Sequence, residues 1–462
     1  MPRTKIAWVI AAAHMLLAIW FASVTPYLHQ GILLGQRDAT GQPQRIVDVG
    51  APDELQHVVY VARLADGQGF PVFQPGSSDI QYTYQSHQPP LYYGIAAGYS
   101  KLVGSFESPD AGLKARFLNV LIGGCTVLGV FWLGWHTTRS NLLSLGAAGF
   151  AALLPMNCAL SGAVSNDPLL FCLCTWSLEI CALALRTHWC LGKALRLGLL
   201  MGFAVLTKTT ALALFPVVAF AMLGAWPLRG ERAIRSEALA TFTVAILMAL
   251  PWWLRNQSLY GDPFALKAFN QAFTGSAQTS QILGGIVATG GSPLDYWLNM
   301  FGWWTVRSLL GVFGYMDIFL NEHGTPFTGP GAPNTIYRLW MAFLAVCAIG
   351  WVISLKKPRE VFPARYVNMA FFAVIALLFL KFNLQYFQAQ ARYLIPAIGP
   401  LSVGIAISLA ALAKDKTKLA LSVSLAALAL LDIYSLQRLP AEFARRDTGP
   451  ANYKFVDGIP QG

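Results

Sequence analysis

Charged residues are scarce in this sequence. Asp, Glu, Lys and Arg make up 12% of the 462 residues, whereas 55% are hydrophobic. Because soluble domains carry about a quarter charged residues, the chain has roughly half the charge that a water-exposed surface requires. The composition excludes a soluble globular enzyme and predicts an integral membrane protein that crosses the bilayer many times.

Paired cysteine motifs are also missing. The seven cysteines stand mostly inside apolar runs, without a CxxC pair and without histidines at zinc-type spacing. Isolated cysteines of this kind are ordinary packed or lipid-facing small residues. They indicate no chemistry of their own.

A basic excess raises the question of a nucleic-acid partner. The formal net charge is +11 at pH 7. The Lys and Arg residues lie in short loops between apolar runs, which is how positive charge is distributed in multi-span membrane proteins. We therefore predict that the chain is surrounded by membrane lipid and binds no nucleic acid.

Eleven apolar windows predict the membrane-crossing helices. The first, 6–24, follows two basic residues and lacks a small-residue cleavage site, which indicates an uncleaved anchor rather than a signal peptide. Two short windows, 195–206 and 211–226, are expected to form a tight pair around Lys208. The remaining windows are 117–135, 142–160, 169–185, 238–254, 336–355, 367–380, 394–412 and 419–436. They predict a single all-α polytopic membrane domain over residues 1–462.

Two long polar stretches, 26–114 and 257–334, interrupt the apolar windows. The first is predicted to be a folded loop with helices at 53–65 and 89–102, the second of which begins with Pro-Pro and lies at the membrane interface. The second stretch contains an aromatic, amphipathic piece, 296–315, which we interpret as another interfacial helix. Both stretches are predicted to be extracytoplasmic loops.

The basic segments predict the orientation of the chain. Under the span count they all fall on one side: the N-terminus, Arg139, 186–196, 229–235, 356–365 and 414–418. We expect that side to be cytoplasmic. The first polar loop, the turn 165–168, Lys208, Arg255 and Arg392 then fall on the other side.

Adjacent carboxylates provide the strongest local signal. Asp53 and Glu54 follow the first span, and His57 lies one turn later. Such a cluster beside a membrane face is typical of a general base. The alternative is an acidic helix N-terminus, where Asp and Glu stabilise the helix dipole and need no function. The residues alone do not distinguish a general base from an acidic helix N-terminus.

Two further polar segments are candidates for binding. In Ser-His-Gln-Pro-Pro-Leu-Tyr-Tyr, His87 and Gln88 precede a rigid helix start whose amides can face an anion, and Tyr92 follows. The alternative is a simple turn with tyrosines at the interface. In Ser-Asn-Asp-Pro, Asn166 and Asp167 lie between two spans, where Asp167 is equally a helix cap.

Three lone basic residues, Lys208, Arg255 and Arg392, lie on the predicted outer side, against the positive-inside trend. Such side chains either extend to water, which is the commoner case, or face an anionic ligand in a cavity. Their occurrence together on one side favours the ligand.

These candidates belong to six short motifs spread over essentially the whole chain. The motifs are Pro-Asp-Glu-x-x-His (52–57), His-x-Pro-Pro-Leu-Tyr-Tyr (87–93), Ser-Asn-Asp (165–167), Leu-Thr-Lys (206–208), Pro-Trp-x-x-Arg-Asn with Tyr-Gly-Asp-Pro (251–263) and Arg-Tyr-Leu-x-Pro (392–396). In this order they resemble the GT-C membrane glycosyltransferases, in particular the bacterial relatives of protein O-mannosyltransferases and of the lipid A aminoarabinose transferase.

The resemblance implies a donor sugar linked through phosphate to a polyprenyl chain, and a lipid, glycan or protein acceptor. It implies an active site that faces the outside (periplasm) of a bacterial cytoplasmic (inner) membrane. Asp53 is then the base that deprotonates the acceptor hydroxyl, with inversion at the anomeric carbon, and Glu54 supports or orients it. Lys208 and Arg392 supply positive charge to the phosphate. The other substrate-binding residues that the resemblance implies are His57, His87, Gln88, Tyr92, Asn166, Asp167, Arg255 and Tyr393.

The resemblance implies no cofactor, and it leaves a divalent metal near Asp53 or Asp167 open. Two departures limit what can be carried over. Gln88 stands where the aminoarabinose transferase branch has Lys, and only a short tail follows the last window, where larger relatives have a C-terminal domain. The identities of the sugar and the acceptor are therefore not carried over.

A multi-span transporter or lipid flippase is the main alternative function. Transporters place binding charges on broken helices near the midplane and often show halves related by symmetry. Here the polar candidates cluster at one face and the loops are unequal, which favours the enzyme.

Overall fold

The computed structural model of the protein describes residues 2–229, 231–320, 334–355, 364–450, 454–456 and 459–461. Most of the basic segment 356–365 and the end of the second polar loop, 321–333, lie outside the described residues. The side chains of 225–234, which belong largely to the basic segment 229–235, lie outside them as well.

Helices dominate the described chain. In chain order they are α1 (Thr4–Val24), α2 (Glu54–Ala65), α3 (Ile80–Thr83), α4 (Leu91–Val103), α5 (Gly112–Thr138), α6 (Asn141–Ala152), α7 (Pro155–Ser161), α8 (Asp167–Arg186), α9 (Leu191–Thr207), α10 (Leu214–Arg229), α11 (Glu231–Tyr260), α12 (Leu266–Ala272), α13 (Thr279–Ala288), α14 (Pro293–Asp295), α15 (Trp303–Leu310), α16 (Thr335–Leu355), α17 (Ala364–Gln385), α18 (Ile398–Ala413) and α19 (Thr417–Ala444). The strands are β1 (His29–Arg37), β2 (Pro43–Ile46), β3 (Val312–Phe313), β4 (Ile318–Phe319), β5 (Asp447–Pro450), β6 (Lys454–Val456) and β7 (Ile459–Gln461).

Each of the eleven predicted windows contains a helix, so the all-α polytopic class is confirmed. Seven helical stretches of the described residues are long and apolar enough to cross a bilayer, and the bent pair α6–α7 makes an eighth. One of the seven, Ile395–Ala444, has 50 residues and would be about 75 Å long if straight, against a hydrocarbon core of about 30 Å. The helix breaks at Lys414 (φ 49°, ψ −114°), and both halves, α18 and α19, pack against α6. They are therefore two spans, and the shorter helices α9 and α10 complete the set of eleven.

The window 142–160 is a broken span. Helices α6 and α7 meet at an angle of 63° because Pro155 starts a new helix. The break frees backbone carbonyls inside the bundle, and buried side chains bind them: Asn157 Nδ2 donates to Ala151 O at 2.8 Å, and His14 Nδ1 lies 2.9 Å from Ala152 O. Irregular backbone at membrane depth requires such internal partners.

The helix directions give the bundle two different ends. At one end, the basic end, Arg3 N donates to Asn141 Oδ1 at 2.7 Å, and Arg186 Nε donates to His136 O at 2.8 Å. These bonds bring the starts of α1 and α6 and the ends of α5 and α8 together. At the other end, the loop end, the first loop forms a sheet of order β2-β1-β5 with the strand that follows α19. The C-terminal segment therefore lies with the first loop.

The first loop has its own apolar core between α2 and α4. Leu55, Val58, Tyr92, Tyr93 and Ala96 are buried in it. The two predicted helices of this loop are confirmed to within two residues at either end. Strands β1 and β2 were not predicted, because their glycines and glutamines give no clear apolar–polar alternation.

The predicted helix at 296–315 begins where expected and is shorter than expected. The chain forms a π-helix over Tyr296–Gly302 and then α15, which ends before Gly311, and the hairpin β3–β4 follows. Arg307 of α15 is fully buried over the rings of Trp303, Trp304 and Phe319, whereas Leu298 of the π-helix is 65% exposed. The interfacial placement of this piece stays a prediction.

The two ends of the bundle predict opposite accessibility in cells. Ser78, in the first loop, and Asp415, between α18 and α19, are both exposed. We expect an impermeant thiol reagent to label S78C but not D415C in intact cells, and to label both after permeabilisation, because the positive-inside rule predicts that the basic end is cytoplasmic. The parent for both variants carries C125S, since Cys125 is exposed. Labelling of D415C alone in intact cells would invert the orientation.

Candidate active site

Two carboxylate–cation pairs meet at the loop end of the bundle. Asp53 Oδ2 accepts from Arg392 Nη2 at 2.6 Å, and Asp167 Oδ1 accepts from Lys208 Nζ at 2.6 Å. The Tyr393 ring lies between the cations, with Lys208 Nζ 5.8 Å and Arg392 Cζ 5.2 Å from its centroid. The structure thus brings five predicted residues from distant parts of the chain into one group, which we call the charged cluster.

Asp53 occupies an unusual backbone conformation. Its φ and ψ are 61° and 11°, in the left-handed region, and its side chain makes no capping bond to α2. The turn before it is held by Asp48 Oδ1, which accepts from Gly50 N at 3.0 Å. Gly50 packs so closely that an added Cβ would lie 2.3 Å from Pro26 O. Asp53 is therefore no helix cap, and a strained residue held by its surroundings is typical of functional sites.

The Asp53 carboxylate is held from two sides. Tyr84 Oη donates to Oδ1 at 2.5 Å, while Arg392 binds Oδ2. Burial raises the pKa of Asp53, but the Arg392 charge and the Tyr84 hydrogen bond together lower it below its usual value. In turn, burial lowers the pKa of Arg392, but the Asp53 charge raises it well above its usual value. Asp53 is thus ionised at neutral pH and points into the site.

Glu54 faces the other way. Its two carboxylate oxygens accept from Arg116 Nε at 2.9 Å and Nη2 at 2.5 Å, and Oε1 also accepts from Val164 N at 2.7 Å. Arg116 also donates to the carbonyls of Ala22, Thr25 and Pro26, and both charged side chains are essentially inaccessible. Glu54 does not reach the charged cluster. Its contacts suit the supporting role that the resemblance implies, in which it orients the neighbouring Asp53, and that role stays a prediction.

The two predicted histidines border the cluster as neutral groups. Burial lowers the pKa of His57 to about 4 in spite of the nearby Asp53, and its Nδ1 lies 2.8 Å from the Tyr93 hydroxyl. Burial also lowers the pKa of His87 to about 4. His87 Nδ1 donates to Tyr84 O at 2.6 Å, which leaves its Nε2 as an acceptor. Neither histidine supplies positive charge.

Asn166 and Gln88 connect the two polar segments. Asn166 is fully buried, and its Nδ2 donates to Thr207 O at 3.1 Å and to Gln88 Oε1 at 3.4 Å. Thr207 precedes Lys208, whose extended backbone (φ −159°, ψ 135°) separates α9 from the next helical turn. Asn166 therefore fixes the backbone of Thr207, the residue before Lys208. Gln88 also contacts His87 Nε2 at 3.1 Å.

Tyr92 and Arg255 lie further from the cluster than predicted. Tyr92 is buried in the first-loop core beside Asn119. Arg255 Nη2 donates to Pro71 O at 2.8 Å, and its guanidinium stacks on the Trp252 ring at 4.6 Å. Both residues contact the loop segments around the site, and among the described residues neither makes a hydrogen bond or ring contact with the charged cluster. Their substrate-binding role stays a prediction.

A divalent metal does not fit these residues. Among the described residues no group of three His, Cys, Asp or Glu side chains is placed to hold a metal ion. The two carboxylates of the cluster, Asp53 and Asp167, are each bound to a cationic side chain. A metal ion would have to displace both cationic side chains, Lys208 and Arg392, so the reaction proposed below has no metal-dependent step.

Two residues of the site were missed from the sequence. Arg116 lies at the loop end of α5, one residue before an apolar window, and a basic residue on that side of the membrane is the kind of signal that identified Lys208. Tyr84 has no such signal, because one tyrosine in a polar loop is ordinary. Only the packing of Tyr84 against Asp53 shows its role.

The chain matches a family of glycosyltransferases over part of its length. Residues 96–261, little more than a third of the chain, match the family described as dolichyl-phosphate-mannose-protein mannosyltransferase. The matched range contains Asp167 and Lys208, whereas Asp53 and Arg392 lie outside it. This match confirms the resemblance that the motifs predicted. No curated protein sequence matches the chain.

Solved structures show the fold. The apo oligosaccharyltransferase of Archaeoglobus fulgidus superimposes with a TM-score of 0.54 at 15% identity, over 96% of this chain and 57% of that chain. The oligosaccharyltransferase AglB of the same organism, in complex with an inhibitory peptide and a dolichol-phosphate, gives 0.54 at 16% identity, over 97% and 56%. ArnT from Cupriavidus metallidurans bound to undecaprenyl phosphate gives 0.40 at 15% identity, over 94% and 78%. The chain has the GT-C fold and spans little more than half the length of the oligosaccharyltransferases.

The buried Glu54–Arg116 pair predicts a stability effect. E54Q leaves the Arg116 charge buried without its partner, which typically destabilises a protein by about 3–5 kcal/mol. We expect a clear fall in the thermal unfolding temperature of the purified protein in detergent. Replacing both partners, in E54Q/R116M, should restore part of the loss, because no buried charge then remains. The control E107Q, at a more exposed glutamate, should change the temperature little.

An unfolding temperature of E54Q equal to that of the parent would contradict the structural role of the pair. Loss of activity in E54Q without loss of stability would return Glu54 to a direct catalytic role.

Proposed function

We propose that the protein is an inverting glycosyltransferase that moves a sugar from a polyprenyl-phosphate-linked donor to an acceptor hydroxyl at the extracytoplasmic face of a bacterial inner membrane. The observation that supports this most is the charged cluster, in which an ionised, strained Asp53 lies beside Lys208 and Arg392. A base and a positive field are the two elements that transfer from a phosphate-linked donor needs.

The position of Lys208 suits a lipid-linked phosphate. Helices α9 and α10 have 17 and 16 residues, fewer than the roughly 20 that a span requires. A 3₁₀-helix over Thr209–Ala213 leads directly from Lys208 into α10, so the link lies at the loop end of the bundle, with Asp53 and Arg392. A transporter site would lie near the midplane instead.

Both cations keep hydrogen-bonding capacity for a phosphate. A Lys ammonium has three N–H donors and an Arg guanidinium has five. Lys208 uses one of them on Asp167, and Arg392 uses Nη2 on Asp53. Arg392 Nε is buried without a hydrogen-bond partner among the described residues. A phosphate placed between these residues would accept from both, with neutral His87 close by.

The reaction then proceeds in one displacement. The acceptor oxygen attacks the anomeric carbon while its proton passes to Asp53, and the bond from that carbon to the phosphate oxygen breaks with its electron pair on the oxygen. The released polyprenyl phosphate gains negative charge, which Lys208 and Arg392 stabilise. Because the pKa of Asp53 is lowered, the carboxylate is a weak base. Proton transfer therefore accompanies formation of the new bond rather than preceding it.

The base assignment predicts a separation of turnover from binding. D53N keeps the shape of the side chain but removes the proton acceptor, so transfer should fall by roughly two to four orders of magnitude. Undecaprenyl phosphate should bind at least as well, because Arg392 loses its counter-charge. The measurement is clearance of the lipid-linked sugar that accumulates in cells deleted for the protein. The control is D66N, at the exposed far end of α2. Normal clearance by D53N at normal expression would refute the assignment.

The phosphate site predicts linked losses of affinity. K208M and R392M should each weaken binding of undecaprenyl phosphate in detergent by about 1.5–3 kcal/mol, as hydrogen bonds to charged groups contribute, which is roughly 10- to 150-fold. The losses should be non-additive, since both residues address one group. K208R should be milder, because the charge remains.

The matched control for this series is K101M, at an exposed lysine of α4, which should bind undecaprenyl phosphate normally. Side chains that only extend to water would each contribute well under about 1 kcal/mol. Unchanged binding in the double variant K208M/R392M would eliminate the phosphate site and favour a transporter.

A further inference from the structure

A cavity lies at the chain segment that leads to Arg392 of the charged cluster. Its volume is about 250 Å³. Three amide side chains and three aromatic rings form most of its wall: Gln36, Gln388, Gln390, Trp304, Tyr315 and Phe387. We call it the amide cavity. The proposed donor site does not use these residues.

The amide cavity adjoins the proposed base. Gln390 is two residues before Arg392, which binds Asp53. Tyr315, which is 47% exposed, lies close enough for the charges of Asp53 and Arg392 to act on its phenol. A group bound in the cavity would therefore lie within range of the Asp53 charge.

The chain segment that carries Gln388 and Gln390 is held in place by hydrogen bonds. Asn383 holds Gln388 at both backbone groups, with Nδ2 donating to Gln388 O at 3.2 Å and Oδ1 accepting from Gln388 N at 2.9 Å. Thr305 Oγ1 donates to Ala389 O at 3.2 Å, and Ser308 Oγ accepts from Ala391 N at 2.8 Å. The segment is thus fixed by side chains that lie behind it.

Burial alternates along residues 388–391, and the two amide side chains are the more exposed ones. Ala389 and Ala391 are fully buried, whereas Gln388 and Gln390 are half-buried. In an extended chain, residues two apart share a side. Both amides therefore face the cavity, and Gln390 Nε2 donates to Gln388 Oε1 at 3.2 Å. Amide groups in such a pair have further donors and acceptors for a ligand.

The chemistry of the lining favours a neutral, hydroxyl-rich ligand. Amides both donate to and accept from hydroxyls, and aromatic rings pack against the C–H faces of a sugar. The lining, all of it in the described part of the chain, contains no Lys, Arg or His. Its single acid, Asp317, is bound to Arg446 Nε at 2.6 Å. A phosphorylated ligand would find no cation here.

A peptide is less suited to the amide cavity. Extended peptides are usually bound through backbone groups of an edge strand. Here the backbone groups of Gln388, Ala389 and Ala391 are already bound to Asn383, Thr305 and Ser308.

We propose that the amide cavity is the acceptor site and that the acceptor is a carbohydrate, bound through Gln388 and Gln390 so that one of its hydroxyls reaches Asp53. This inference rests on the proposed glycosyltransferase function and names its acceptor class. The hydroxyl proton passes to Asp53 as described above, and the bond formed is a glycosidic bond between two sugars.

The test measures sugar binding without turnover. Purified protein in detergent, saturated with undecaprenyl phosphate, is titrated with methyl pyranosides of glucose, galactose, mannose and N-acetylglucosamine, and binding is followed by saturation-transfer NMR. We expect at least one glycoside to bind saturably. The variant Q388M/Q390M keeps side-chain length but removes the amides, and should weaken that binding roughly tenfold or more. The control Q257M, at an exposed glutamine of α11, should bind like the parent.

Three outcomes would overturn the inference: no glycoside binds, binding is the same in Q388M/Q390M, or a short Ser/Thr peptide binds in a Gln388-dependent way in place of the sugars. Undecaprenyl phosphate binding is measured in the same samples. If it holds while the glycosides fail, the acceptor class is wrong and the proposed donor site stands. If it fails in the parent protein, the proposed function itself is contradicted.

Discussion

The buried ion pair between Glu54 and Arg116 is the contact on which the geometry of the site depends. The Arg116 guanidinium joins the start of α5 to the end of α1 and the start of α2, and the Glu54 carboxylate adds the turn before α8. Because both groups are inaccessible to water, neither can leave the pair without a large penalty. The adjacent Asp53 is consequently held in a left-handed conformation that its own sequence does not favour. A structural carboxylate thus fixes the position of the proposed catalytic one.

The charged cluster solves a second electrostatic problem. Lys208 and Arg392 would be unfavourable in a partly dehydrated site without counter-charges, and Asp167 and Asp53 provide them. An incoming phosphate can take over part of this role. The four charged side chains of the cluster then keep their charges, and the phosphate adds only its own. The same arrangement keeps Asp53 ionised, although it makes it a weak base. In the proposed reaction, binding of the donor and activation of the acceptor are therefore coupled through Arg392.

Irregular backbone marks the places where chemistry can occur in this bundle. The extended residue Lys208 interrupts two short helices, and the clamped segment before Arg392 precedes α18. In a bilayer such breaks persist only where other side chains satisfy the freed backbone groups. Asn166 does so beside Lys208, and Asn383 does so beside the amide cavity. Under the proposed function, these buried asparagines are positioning residues for the donor side and the acceptor side, respectively.

Much of the architecture follows from the sequence alone. Apolar runs of span length can be stable only in a bilayer, and the basic loops distinguish the two ends, so the eleven helices and the grouping of Asp53, Lys208 and Arg392 at one end were predictable. Tertiary structure decided which neighbour each charge binds. Asp53 and Glu54 are adjacent and chemically alike, yet one faces the site and the other faces Arg116. Periodicity and composition act over a few residues, whereas ion pairs and cavities join positions far apart in the chain, and those long-range contacts are determined only when the helices pack.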